Sequence, residues 1–339
     1  MNNKSVKILD CTLRDGGYVN DWNFGADNIK SIISGLDLAG VDFIECGFMR
    51  DGEDSSEKSL YGRLENLTSI IPPGAVRERL VAMIDYGEFD PANLPEKNEN
   101  SIFGFRIIFK KKYLEEALDA ACQIQAKGYN IFINPTFINQ YTKEEFADVI
   151  ARVNRINPYA FSIVDSMGVM DTRSAKEFFE LADSRLNKNI TLCFHSHNNL
   201  QLSFANALEL INLKSGRSVI IDSSLFGMGR GAGNIKTEFL INYLNEHRKS
   251  HYKLLPALSL IHNIVNKFFE QKPWGYSVPY YLAAQNFCHP NYASFLIEKK
   301  LEFDVIDKIL KQIPESGKTC FDKNLIENLY NETVGVPAC

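Results

Sequence analysis

From Val6 to about Val219 the chain alternates between short β-rich apolar runs and segments of helical periodicity, and it does so eight times. The strand candidates are Val6–Leu13, Asp42–Phe48, Leu80–Asp85, Phe103–Phe109, Asn130–Phe137, Ala160–Asp165, Thr191–His195 and Ser218–Ser223. Runs such as Ile107-Ile108-Phe109 and Val219-Ile220-Ile221 are continuously apolar, as strands covered on both faces must be. Helical patterns fill the gaps at Asp27–Ala39, Glu57–Ile70, Tyr113–Lys127, Thr142–Ile156, Thr172–Leu186, Leu200–Leu213 and Ile235–His247, whereas Phe89–Asn100, rich in Pro and Asn, makes the poorest helix. Eight such units over roughly 240 residues match the size and rhythm of an α/β (β/α)₈ TIM barrel. An open doubly wound sheet is the competitor. The barrel is preferred because the polar residues of interest all fall just after strands, at the rim where barrels do chemistry. The rhythm stops near His251, so residues 1–250 are expected to form the barrel and residues 251–339 a small helical C-terminal domain, with helical stretches at Leu254–Glu270, Phe303–Ile313 and Asn324–Tyr330.

Composition narrows the function. A net charge of −5 argues against nucleic acid as the main partner, since phosphate binding wants a basic face. No apolar run approaches the length needed to span a bilayer, and Met1–Lys7 lacks the apolar core of a signal peptide. The seven cysteines are scattered and odd in number, without C-x-x-C spacing. They read as reduced thiols, and the expected location is cytoplasmic.

The chemistry gathers at three strand ends. Leu192-Cys193-Phe194-His195-Ser196-His197-Asn198-Asn199 begins as a strand and then carries two imidazoles two residues apart. Residues i and i+2 of a strand share a face, so His195 and His197 can reach one ion. The first strand runs into Asp10-Cys11-Thr12-Leu13-Arg14-Asp15-Gly16-Gly17-Tyr18. Asp15 is placed to complete a His₂–carboxylate set, with the remaining coordination positions left to water or substrate. The eighth strand runs into Phe226-Gly227-Met228-Gly229-Arg230-Gly231-Ala232-Gly233-Asn234. Its alternate glycines could cradle a phosphate or carboxylate on backbone N–H groups, and Asn234 either offers a carbonyl oxygen to a metal or caps the next helix.

Thr12-Leu13-Arg14-Asp15-Gly16, His195-Ser196-His197-Asn198 and Gly227-x-Gly-x-x-Ala-Gly-Asn234 together resemble the three signatures of the DRE-TIM metallolyase superfamily. That superfamily includes 4-hydroxy-2-oxovalerate aldolase, 3-hydroxy-3-methylglutaryl-CoA lyase and the isopropylmalate and homocitrate synthases. The resemblance implies a divalent metal, Mn²⁺ or Mg²⁺, on Asp15, His195 and His197, with Asn234 on a further ligand used by some branches. Asn291-Tyr292-Ala293-Ser294-Phe295-Leu296 resembles a C-terminal stretch of the 4-hydroxy-2-oxoacid aldolases, and Asp165-Ser166-Met167-Gly168 fits their sixth-strand motif. Two departures stand out. Tyr18 occupies the position of the aldolases' histidine base, and the glycine loop lacks the cysteine of the lyase branch.

The activity this implies is formation or cleavage of a 4-hydroxy-2-oxo acid through a pyruvate enolate and an aldehyde. Arg14 is expected to stabilise the enolate oxygen with Glu45 orienting it, and Asp165, Ser166, Gly231 and Gly233 are candidates for substrate binding. Tyr18, a metal-bound water or His289 is left as the base, and Tyr292 is expected to shape the aldehyde pocket. The alternatives are a Claisen-type synthase joining an acyl-CoA to a 2-oxo acid, and an inactive barrel used as a binding module. The expected partners are a small 2-oxo acid and an aldehyde. A homodimer and, by analogy with some relatives, an aldehyde dehydrogenase docking on the tail are the assemblies to test.

Overall fold

The computed structural model describes residues 5–335. Eight parallel strands close into a barrel: β1 (Val6–Asp10), β2 (Phe43–Met49), β3 (Leu80–Asp85), β4 (Gly104–Phe109), β5 (Asn130–Pro135), β6 (Ala160–Asp165), β7 (Thr191–Ser196) and β8 (Val219–Ser223). β1 pairs with β8 on one side (Val6 with Val219) and with β2 on the other (Leu9 with Phe43), so the sheet closes on itself. The open-sheet alternative is thereby excluded. A two-residue strand, Leu60–Tyr61, pairs with the end of β2.

Strand parity sorts the side chains into layers. Leu9, Phe43, Val81, Phe132, Ala160, Cys193 and Ile220 point inward and form an apolar plug, with Phe103 and Tyr159 packed against it. The intervening residues, such as Ile8, Ile44, Ile133 and Phe194, pack outward against the helices in the main core. Burying each large plug residue contributes roughly 1.5–3 kcal/mol. Two residues further along four of these strands the inward position turns polar: Phe43 gives way to Glu45, Phe132 to Asn134, Cys193 to His195 and Ile220 to Asp222. On β4, Arg106 holds the same layer. All five are buried. A dry apolar floor therefore carries a polar layer at the C-terminal end of the barrel.

Two local expectations are corrected. β1 ends at Asp10 rather than Leu13, because the Asp10 carboxylate accepts the Thr12 N–H (2.9 Å) and the chain turns into one helical turn, Thr12–Asp15. The second helix covers only Leu64–Ile70, and Phe89–Asn100 contributes a single 3₁₀ turn, Pro91–Asn93. In the tail, Leu254–Leu260, Ile261–Val265 and Asn266–Gln271 follow one another without a break. The first two supply Ala257, Leu260, Ile261, Ile264 and Val265 to the barrel core. Four further helices, Val278–Gln285, Pro290–Glu298, Phe303–Gln312 and Lys323–Val334, surround a separate core that includes Tyr292, Leu296, Ile309 and Ile326. Among the described residues no helix is long and apolar enough to cross a membrane.

Candidate metal centre and cavity

The helical turn after β1 is pinned from three sides. Thr12 Oγ1 accepts the Leu225 N–H from beyond β8 (2.8 Å), Ser59 donates to Leu13 O (2.6 Å) and Trp22 Nε1 donates to Arg14 O (2.8 Å). These bonds fix Arg14 and Asp15 at the rim. Arg14 donates through Nε to Glu45 (2.7 Å) and through Nη1 to Asp15 (2.6 Å). Arg106 reaches Glu45 (3.1 Å) and Asp222 (2.5 Å), and Asp222 also holds Nδ1 of His195 (3.0 Å). That last contact leaves Nε2 of His195 free to bind a ligand.

Asp15, His195 and His197 offer ligand atoms within 4.8 Å of one another, and all three residues are buried. The shared inward face of positions 195 and 197 brings the imidazoles together, with ring centroids 5.2 Å apart. Nδ1 of His197, 3.8 Å from Asp15, is buried without a hydrogen-bond partner, and so is Oδ1 of Asn234. Burial, the largest influence on His197, lowers its pKa to about 3, so the imidazole is neutral with a lone pair to give. Burial alone would raise Asp15, but the positive charge around it, the Arg14 guanidinium above all at neutral pH, outweighs it and holds the carboxyl well below its ordinary range. In this layer two guanidinium groups, Arg14 and Arg106, face three carboxylates, Asp15, Glu45 and Asp222. One uncompensated negative charge, a neutral donor nitrogen without a partner and a His₂–carboxylate set fit a divalent cation.

The centre opens into a cavity of ≈ 240 Å³ lined by Arg14, Asp15, Tyr18, Ser166, His195, His197 and His289, among others. Tyr18 presents its ring to the Arg230 guanidinium, 3.8 Å from the centroid. His289 comes from the tail, with Nε2 3.2 Å from Arg230. Asp85, Lys110, Asn134 and Arg230 also line the cavity, and none of them stood out in the sequence.

Other expected residues lie elsewhere. Glu45 sits beneath the cavity, where it holds Arg14. Asp165 accepts from the Val169 and Met170 amides (3.0 Å each) and from Ser196 (3.2 Å), and burial raises it to about 6; it lies outside the lining. Tyr292 also lies outside, its hydroxyl 2.9 Å from both Gly317 O and Cys320 O. Gly231 and Gly233 do not reach the cavity either. Amides of the glycine loop are already engaged: Ala232 N–H goes to Asn199 Oδ1, and within the loop Gly233 N–H goes to Arg230 O and Asn234 N–H to Gly227 O. Asn234 does not cap the next helix, which starts at Thr237. Its Nδ2 donates to Asp15 (2.6 Å) and to Met228 O (3.2 Å). Gly229 makes room for this pair, since a Cβ there would lie 2.5 Å from Asp15 and 2.2 Å from Asn234.

Residues 108–265 match the family model described as HMGL-like. That stretch, a little under half of the chain, is similar to the HMGL-like family. The chain is 26% identical over 259 residues to the oxaloacetate decarboxylase of Mycobacterium tuberculosis, covering 72% of this chain and 70% of that one. It is 26% identical over 249 residues to the 4-hydroxy-2-oxovalerate aldolase of Pelotomaculum thermopropionicum, covering 71% and 70%. Among solved structures, the N-terminal domain of a provisionally assigned aldolase from Bacteroides vulgatus superposes with a TM-score of 0.73 at 24% identity, over 88% of this chain and 98% of that domain. The carboxyl transferase domain of Rhizobium etli pyruvate carboxylase, solved with pyruvate, superposes at 0.69 and 15% identity over 98% of this chain and 61% of that one. These two structural likenesses speak for the fold. The HMGL-like match and the aldolase and decarboxylase relatives support a metal-dependent lyase.

Proposed function

We propose that this lyase is an aldolase that makes or breaks the carbon–carbon bond between C3 of pyruvate and a carbonyl carbon. The observation that carries the reading is the convergence of Asp15, His195 and His197 beside Arg14 on one cavity wall. A divalent ion held there, Mn²⁺ or Mg²⁺, supplies Lewis acidity to the keto oxygen of a 2-oxo acid. The protein's own part is positioning. Asp15 and Glu45 fix the Arg14 guanidinium, whose charge is permanent, so that it faces negative charge developing on the enolate oxygen. Loss of one such donor costs ~10²–10³ in rate. Tyr18 and His289 both line the cavity, and either of them, or a metal-bound water, is the candidate to take up the hydroxyl proton of a 4-hydroxy-2-oxo acid.

One observation gives weight to a second reading. Burial, with Arg230 adding to it, holds His289 far below its ordinary range, which makes it a weak base. Decarboxylation of a 2-oxo diacid passes through the same pyruvate enolate without a hydroxyl proton to remove, and it is the activity named for the M. tuberculosis relative. The Claisen alternative loses support, because three amides of its best feature, the glycine loop, are already spent. The homodimer and the dehydrogenase partner stay part of the proposal by analogy.

The test is exchange of pyruvate C3 hydrogens for deuterium, followed by NMR with and without Mn²⁺. We expect exchange that chelation abolishes and Mn²⁺ restores, together with metal-dependent pyruvate release from a 4-hydroxy-2-oxo acid. Metal-stripped protein that keeps full activity would end the proposal. Turnover of oxaloacetate with none of the hydroxy acid would favour the decarboxylase.

A further inference from the structure

The cavity holds two cations that the enolate centre does not use, Arg230 and Lys110, with one carboxylate, Asp85, on the same lining but in no ion pair with either among the described residues. Arg14 is engaged by Asp15 and Glu45. Arg230 and Lys110 line the same cavity, and among the described residues neither forms an ion pair with a carboxylate. Arg230 touches the Tyr18 ring and Nε2 of His289, while its own Nε is buried with no hydrogen-bond partner. The His289 contact is mismatched. Nδ1 of that ring already faces the Asn291 N–H at 3.2 Å, and a neutral imidazole has one acceptor nitrogen to share between two donors. Lys110, exposed at the mouth, has Sγ of Cys320 at 3.5 Å, a weak acceptor. A guanidinium that cannot lose its charge is costly to leave half-satisfied and partly desolvated.

We infer that Arg230 and Lys110 form a second anion subsite, and that the carbonyl partner of pyruvate carries its own carboxylate or phosphate rather than being a plain alkyl aldehyde. The inference rests on the aldolase reading and narrows its substrate. In the synthetic direction C3 of pyruvate gives up a proton and bonds to the acceptor's carbonyl carbon, while the acceptor's oxygen takes up a proton. The second anion takes no part in these bonds and keeps its charge throughout. Arg230 therefore holds it equally in ground and transition states, and its contribution falls on KM. In a decarboxylation the same anion would leave as neutral CO₂, and pairing with a guanidinium would stabilise the ground state more than the transition state. The subsite thus favours bonding to a charged acceptor over losing a carboxylate from one.

The test uses the Mn²⁺-loaded enzyme with pyruvate and three classes of acceptor: acetaldehyde and propanal, glyoxylate and succinic semialdehyde, and glyceraldehyde 3-phosphate. We expect kcat/KM for one anionic class to exceed that for the neutral aldehydes by at least about tenfold, and the excess to shrink with ionic strength. Whether the carboxylates or the phosphate lead identifies the anion. Arg230→Met should reduce the charged-over-neutral ratio by on the order of 30-fold, chiefly through KM, and Arg230→Lys should recover part of it. A readout independent of turnover is calorimetric binding of malonate to chelator-treated protein, which Arg230→Met should weaken while thermal melting shows the variant folded. Neutral aldehydes preferred by an enzyme that exchanges pyruvate hydrogens would overturn the subsite and leave the aldolase reading standing. Absence of exchange with either metal would end the aldolase reading, and malonate binding unchanged by Arg230→Met would then dispose of the subsite as well.

Discussion

Oδ2 of Asp222 serves two partners at once, Nη2 of Arg106 at 2.5 Å and Nδ1 of His195 at 3.0 Å. It thereby fixes which imidazole nitrogen faces the metal centre, although Asp222 itself lies outside the cavity lining. In Asp222→Asn an amide oxygen in the place of Oδ2 can still meet both partners, but it is neutral. His195 Nδ1 then loses its charged partner and Arg106 keeps only the Glu45 carboxylate, while the NH₂ lies buried where Oδ1 has no partner. We expect Mn²⁺ affinity to fall about 10–100-fold, read by titration of the metal-free protein. A merely structural role would lower the melting temperature and leave that affinity in place. Arg14, Asp15, His195 and His197 could be picked out from the sequence because each sits at a strand end in a recognisable pattern. Arg106 and Asp222 could not, because one ionisable residue inside an apolar strand does not name its partner. The available signal was parity. In Gly104-Phe105-Arg106-Ile107 and Val219-Ile220-Ile221-Asp222, opposite charges occupy inward positions where neither can be buried alone. Arg230 was hidden by its setting, since the glycines around it drew the reading toward a backbone cradle.

The barrel strands were legible because parallel strands covered on both faces read as continuous apolar runs, and helices with one apolar stripe separate them cleanly. The tail was harder. Val278–Gln285 and Pro290–Glu298 each carry a proline in the first turn, which is tolerated there but looks like a breaker in a bare sequence. Both helices matter to the site, because the second core they build presents His289, Asn291 and the segment Thr319–Phe321 to the cavity. Tyr292 is the clamp. Its hydroxyl lies within hydrogen-bond reach of Gly317 O and Cys320 O and accepts the Asp322 N–H (3.1 Å), so one group ties down the whole segment. Tyr292→Phe removes these bonds without removing the buried ring. We expect faster hydrogen–deuterium exchange across residues 317–322 and a severalfold rise in KM with kcat little changed. Unaltered exchange there would assign the hydroxyl no part in holding the wall.

Stability of the whole molecule is tied to pH through carboxylates whose ionisation burial shifts. Asp10 is fully buried, and burial raises its carboxyl to about 6 despite hydrogen bonds from Thr12 and Thr237. Burial raises Asp85 and Asp165 to about 6 as well, whereas Asp222 is held low because Arg106 and His195 outweigh its burial. For an acid whose folded pKa is raised, the folded state binds more protons than the unfolded chain between about pH 4 and 6. The stability it contributes is fully present below that window and is lost as pH rises through 6. Going from 3.8 to about 6 corresponds to roughly 3 kcal/mol for Asp10. Asn at this position is a neutral near-isostere: its carbonyl can accept the Thr12 N–H, and the Thr237 hydroxyl, which also lies 2.8 Å from Ser223 Oγ, can turn to accept from its amide. Asp10→Asn should therefore gain on the wild type by roughly 2–3 kcal/mol between pH 4.5 and 7.5, measured by urea denaturation with chelator present so that metal binding does not enter. Taking the difference between the two proteins cancels the titration of every distant group. Parallel stability curves for the two would mean that Asp10 ionises at its ordinary pKa, and that the anchor of the Thr12–Asp15 turn carries its charge without cost.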